Sequence, residues 1–175
     1  MSSTQHEYFQ LFALPEQFAI DTKLLETNFR KIQSASHPDR FISATPAEKL
    51  VSMQLATLSN EAYGTLKNAA RRAKYLLAKH GIDAVADTNT ALPMDFLMQQ
   101  MEWREQLEDA KTAKDIDALD GLYRTLRAEA KALEAELTGL FDDKKDYGAA
   151  TEVTRKLIFI DKVCADIQQA IEYSD

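Results

Sequence analysis

From Ile116 to Ile171, apolar residues recur at alternating spacings of three and four, a period that belongs to helices and not to strands. Ile116, Leu119, Tyr123, Leu126, Ala130, Leu133, Leu137 and Leu140 form one run. Ala150, Val153, Leu157, Ile160, Cys164, Ile167 and Ile171 form the next. Each run draws a single stripe along a helix of about 3.6 residues per turn. Upstream, Phe96, Gln100, Trp103, Leu107 and Ala110 keep the same phase. Three helices with such seams bury them against one another as a small bundle, and the break between the last two is expected near Asp142–Asp146.

The N-terminal half is organised by helix punctuation. Thr4-Gln5-His6-Glu7 has a capping-box pattern and precedes Tyr8, Phe9, Leu11 and Phe12; Leu14-Pro15 closes that short helix. Asp21 is placed to cap a second helix, with Leu25, Phe29 and Ile32 as its buried stripe. Pro38 ends that helix near His37. Thr45-Pro46-Ala47-Glu48 starts a third, with an expected core stripe of Val51, Leu55, Leu58, Ala62 and Leu66. A fourth runs from about Ala69 to His80 and stops at Gly81. Residues 81–92 lack periodicity and end at Pro93, as a linker would. The chain is therefore expected to be all-α, with a helical domain over 1–80, a linker over 81–92 and a three-helix bundle over 93–175.

The charge divides at the same place. Residues 1–80 hold ten Lys/Arg against seven Asp/Glu, or +3; residues 81–175 hold eleven against 21, or −10. A chain of net charge −7 is a poor general nucleic-acid binder, because phosphate contact needs clustered cations. Two halves of opposite sign suggest two surfaces with different partners. The one cysteine, Cys164, excludes an internal disulfide and falls on a core seam. No His/Cys/Asp set has zinc-ligand spacing, Asp142-Asp143-Lys144-Lys145-Asp146 lacks the EF-hand pattern, and no Gly-rich phosphate loop is present, so neither metal nor cofactor is expected. No signal peptide or membrane-span pattern is evident, which leads to the expectation of a soluble cytoplasmic protein with no membrane partner.

His37-Pro38-Asp39 is the motif with chemistry in it. The proline stiffens the turn, so His37 and Asp39 project from a fixed corner. A carboxylate there can pair with an arginine on a partner, and an imidazole can donate or accept beside it. Arg30, Lys31 and Arg40 flank the corner and can steer it to an acidic surface. The plain alternative is a helix stop followed by a polar turn. With Phe29-Arg30-Lys31-Ile32 before the motif and a short aromatic helix upstream, residues 4–80 resemble the J-domain family. That resemblance implies a helical hairpin whose His-Pro-Asp loop contacts the ATPase domain of a DnaK-type chaperone and stimulates ATP hydrolysis. It assigns this role to His37, Pro38 and Asp39, supported by Lys23, Arg30, Lys31 and Arg40. The chain would then be no enzyme itself. Many J-domains carry a lysine and an aromatic residue just before the motif; here Ala35 and Ser36 stand there, and Arg40 follows the motif in place of lysine. This thinner charged stripe fits a dedicated partner.

A second surface lies on the first bundle helix. Phe96, Trp103, Leu107 and Ala110 cluster on one side; Met94, Leu97, Met98 and Met101 cluster almost opposite, beside Glu102 and Glu105. One apolar face suffices for a bundle, so the second suggests an adaptable docking site, although it could equally pack against the first domain or the linker. Phe159, about 120° from its own seam, can extend the patch. The segments Phe96–Leu107, Val153–Lys162 and Arg72–Leu77 are similar to the matching segments of the HscB family of J-domain co-chaperones. That likeness implies that the J-domain engages an HscA-type chaperone. It also implies that the bundle holds an IscU-like iron–sulfur scaffold through Leu97, Met98, Met101, Glu102, Glu105 and Phe159, with Leu92 and Met94 as weaker candidates. Two alternatives are a J-domain co-chaperone for general unfolded clients and a non-catalytic helical adaptor.

Overall fold

A computed structural model describes residues 7–86 and 92–174. Every regular element among them is helical, and the chain divides into two compact units, Met1–Lys79 and His80–Asp175. Residues 87–91 of the expected linker, and Thr4, Gln5 and His6 of the expected first cap, lie outside the described residues.

The first unit contains α1 (Tyr8–Leu11), α2 (Thr22–Ala35), a 3-10 turn (Pro38–Phe41), α3 (Pro46–Lys67) and α4 (Ala69–Lys79). The 3-10 turn stands where the sequence placed a turn stiffened by Pro38. α1 is a single turn, and the side chain of Glu7 does not cap it. That carboxylate binds Lys79 instead. α2 opens as its sequence dictates: the Asp21 carboxylate accepts from the amides of Lys23 and Leu24 at 3.0 and 3.1 Å. At the start of α3 the Thr45 hydroxyl accepts from the Glu48 amide at 3.2 Å, and Pro46 occupies a first-turn position that needs no N–H. Gly81 follows α4 at φ 77°, a left-handed conformation that favours glycine.

α2 and α3 form an antiparallel hairpin. Phe29 near the middle of α2 stacks on Tyr63 at 4.1 Å, whereas Ser36 at its end meets Ser52 near the start of α3. The core stripe of α3 differs from the expected one at its first turns. Val51 is 64% exposed, and Ser52 and Ser59 are buried in its place, in line with Ala62 and Leu66. The Ser52 hydroxyl donates to the Ser36 carbonyl at 2.9 Å, a hydrogen bond that valine cannot make. Leu25, Leu66 and Leu77 are fully buried, each stabilising the unit by about 1.5–3 kcal/mol.

Two cations lock the ends of this unit. Arg72, almost fully buried, donates from Nε to the Phe18 carbonyl and from Nη1 to the Leu66 carbonyl, both at 2.7 Å, with its guanidinium over the Phe18 ring. One side chain thus ties α4 to the α1–α2 connection and to the end of α3. Lys79 binds both Glu7 and Glu16 and lies over the Tyr75 ring, which stacks on Tyr8 at 4.6 Å. Burial works against the Lys79 charge, but the hydrogen bonds to Glu16 and Glu7 outweigh it and raise its pKa.

The second unit contains α5 (Met94–Ala113), α6 (Ile116–Thr138), extended by a π-helical turn (Gly139–Asp143), and α7 (Tyr147–Glu172). Asp115 caps α6 through the Ala118 amide, and Asp146 caps α7 through the Ala149 amide. The chain reverses through Lys114 and Lys145, both at positive φ. Tyr123 meets Gln168 and Arg127 meets Asp161, so α6 and α7 run antiparallel. Phe96 meets Phe159 and Arg104 meets Asp166, so α5 and α7 run parallel. Most residues of the expected seams are buried; Gln100, Tyr123 and Ile171 are half-buried and Ile116 is exposed, whereas Leu122 and Val163 are buried in addition. Two apolar columns on α7 serve two neighbouring helices, which a single seam cannot do.

Candidate functional site

The His37-Pro38-Asp39 corner is built by the end of α2 and its 3-10 turn. Ser36, the last residue before it, is buried; its own hydroxyl and amide both donate to the Ile32 carbonyl, at 2.8 and 2.9 Å. The Ser36 carbonyl accepts from the Ser52 hydroxyl at 2.9 Å. The backbone entering the corner is therefore fixed to α3. His37 caps the 3-10 turn: its Nδ1 accepts from the Asp39 amide at 3.2 Å. In that arrangement Nδ1 is the acceptor at the cap, and Nε2, on the far side of the ring, points away from it. The Asp39 carboxylate is 83% exposed, with one oxygen 3.6 Å from Nδ1. The corner thus presents an imidazole nitrogen, a rigid pyrrolidine ring and a carboxylate together.

Lys23, Arg30, Lys31 and Arg40 are all exposed. Arg30 is paired with Glu26 at 2.7 Å, so its charge is partly spent on α2 itself. The structure adds a feature that the sequence reading missed. Beside the corner opens an apolar groove of about 350 Å³, lined by Ala35, Ser36, Phe41, Ala47, Val51 and Leu55 among others. Ile42, Leu50 and Met53 are also exposed in this part of the chain. Val51, displaced from the buried stripe, is part of this apolar surface. The signal available was the serine pair seven residues apart, which competes with Val51 for the buried stripe.

The second surface is the outward face of α5. Met94, Met98 and Met101 are 71%, 64% and 72% exposed, and Leu97 is 37% exposed. Opposite them Phe96, Trp103, Leu107 and Ala110 are buried. Glu102 and Glu105 are exposed, and the side-chain amides of Gln99 and Gln106 donate to Glu102 at 3.3 and 3.4 Å. Phe159 is half-buried and packs edge-on against Phe96, with centroids 6.1 Å apart. Arg104 lies over the Phe159 ring and pairs with Asp166 at 2.8 Å; Lys156 lies over the Phe96 ring. The α5 face and Phe159 are thus on adjacent helices, with Arg104 and Lys156 as a cationic rim that the sequence reading did not single out. Leu92 is half-buried.

Other residues are accounted for by packing. His80 is exposed and stacks on Tyr147 at 3.9 Å. Cys164 is buried, and that burial pushes its thiol pKa up. No helix among the described residues is long and apolar enough to cross a membrane.

A family model described as the HSCB C-terminal oligomerisation domain matches residues 92–168, the segment that carries the second surface. The co-chaperone protein HscB homolog of Paraburkholderia phymatum is 48% identical, over 100% of this chain and 99% of its own. Chaperone HscB from Vibrio cholerae superposes with a TM-score of 0.80 at 36% identity, covering 96% of this chain and 99% of its own. Human co-chaperone protein HscB superposes with a TM-score of 0.85 at 28% identity, over 95% of this chain and 83% of its own. With near-complete coverage at such identity, and with the J-like hairpin and C-terminal bundle both in place, this chain belongs to the HscB family of co-chaperones.

Proposed function

We propose that this protein stimulates the ATPase of a DnaK/HscA-type chaperone and delivers to it an IscU-like scaffold protein of iron–sulfur cluster assembly. The observation that carries the first half is the corner itself. His37 folds back to cap the Asp39 amide, so the backbone of the corner is held and the exposed Asp39 carboxylate is available to an arginine of the chaperone. Lys23, Lys31, Arg40 and the partly paired Arg30 supply steering towards an acidic surface. Beside these charges a chaperone also meets the apolar groove of α3. The second half rests on the exposed Leu97, Met98 and Met101 beside Glu102 and Glu105, with the half-buried Phe159 on the adjacent α7. An unbranched thioether adapts to the shape of its partner, and the acidic border sets orientation. The chemistry of ATP belongs to the chaperone, and the co-chaperone itself acts by contact in the cytoplasm.

Steady-state ATP hydrolysis by the HscA-type chaperone tests the first half. Addition of this chain is expected to raise the rate, and the His37→Gln variant, folded to the same helical content, is expected to leave it at the basal level. Equal stimulation by both would remove the corner from the mechanism.

A further inference from the structure

Three of the four large apolar side chains on the outward face of α5 are methionines. Met94, Met98 and Met101 follow one another at spacings of four and three, so they lie within about 60° of arc. They are 71%, 64% and 72% exposed, whereas Leu97 between them is 37% exposed. Leucine would supply the same apolarity without an oxidisable atom. The cysteine and the tryptophan of this unit are withdrawn: Cys164 and Trp103 are only 5% and 6% exposed. Burial also raises the Cys164 pKa, which disfavours the reactive thiolate.

We propose that Met94, Met98 and Met101 form a peroxide-sensitive modification site that releases the scaffold when oxidised, an inference that rests on the docking role proposed for this face. The oxidant is hydrogen peroxide. Its O–O bond breaks as an S–O bond forms on the thioether. Sulfur is oxidised by two electrons to the sulfoxide, and the remaining oxygen leaves with both hydrogens as water. Each sulfoxide converts an apolar contact into a dipole that must lose its water on docking. Because the three side chains point outward, the change falls on the docking face and leaves the buried side of α5 intact. Sulfoxide reductases reverse it. Met53, 66% exposed in the other unit, is a built-in control for oxidation as such.

The test is scaffold affinity, measured by calorimetry on the full chain before and after hydrogen peroxide treatment, with sulfoxides located by mass spectrometry. Each variant is compared with itself. Oxidation of wild type and of Met53→Leu is expected to raise Kd on the order of tenfold or more, and reductase treatment to restore it. Met94→Leu/Met98→Leu/Met101→Leu is expected to change by less than about twofold on the same treatment. Full oxidation of the three methionines with unchanged wild-type affinity would overturn the inference. So would an equal loss in the triple leucine variant, or resistance of the three to peroxide while Met53 oxidises. Absence of scaffold binding before oxidation would instead bring down the docking role, and this inference with it.

Discussion

The Ser52 hydroxyl donates a 2.9 Å hydrogen bond to the carbonyl of Ser36, the residue immediately before His37. Both serines are buried, so the bond fixes the approach to the corner with no help from solvent. Ser52→Ala leaves that carbonyl without its partner and is expected to cost about 1–3 kcal/mol in urea denaturation. It should also lower stimulation of the chaperone while scaffold affinity stays at the wild-type value. Full stimulation by the alanine variant would show that the corner holds its shape without α3.

Arg72 joins three segments through two carbonyls and one ring. Arg72→Met keeps much of the stem but strips the Phe18 and Leu66 carbonyls of a charged donor. The expected loss is about 3 kcal/mol or more, in the range of broken buried networks. Hydrogen exchange should show lost protection across α1 to α4, with amides of α5 to α7 much less affected. Uniform loss over both units would contradict a local role.

Alkaline pH should weaken the first unit. The raised Lys79 pKa means that its contribution is complete below the ordinary lysine value of about 10.4 and is lost as pH climbs through the folded value. Burial also raises the Tyr75 phenol, so above an ordinary tyrosine value of about 10 ionisation favours the unfolded chain. Both effects have the same sign in the same window. Thermal melts from about pH 8 to about pH 11 should fall steeply for wild type and more gently for Lys79→Met/Tyr75→Phe. A parallel pH slope in the double variant would assign the loss to other groups.

On the proposed function, Leu97 serves docking and not folding. Leu97→Asp puts a charge into the exposed face while leaving the Phe96 and Trp103 side of α5 untouched. The melting curve is expected to stay within about 0.5 kcal/mol of wild type. Scaffold affinity is expected to fall by tenfold or more, corresponding to about 1.4 kcal/mol or more. Undiminished affinity would place the scaffold elsewhere.

The bundle was legible because each of its helices repeats one spacing over several turns, and a mistake at Ile116 or Leu122 does not alter the answer. The corner was legible because proline and the flanking caps at Asp21 and Thr45 act locally, within a few residues of one another. The start of α3 was not. Val51 is more apolar than Ser52, so hydropathy selects it, whereas Ser52 is turned inward with a hydrogen bond to a residue sixteen positions away. Arg72 is hidden for a similar reason: its partners are carbonyls at Phe18 and Leu66, which no side-chain pattern announces. Phe159 could be found as an off-seam aromatic, but Arg104 and Lys156 over the two rings appear only once α5 and α7 are set side by side.

On the proposed function, one chain carries a chaperone-triggering corner and a scaffold-holding face that work together. The most direct measurement is ATP hydrolysis by the HscA-type chaperone with scaffold and co-chaperone added singly and together. Wild type is expected to stimulate alone and to give more than the sum with scaffold. Leu97→Ala/Met101→Ala/Phe159→Ala should keep the stimulation and lose the synergy, and His37→Gln should lose both. Undiminished synergy in the triple variant, or stimulation by His37→Gln equal to wild type, would contradict it.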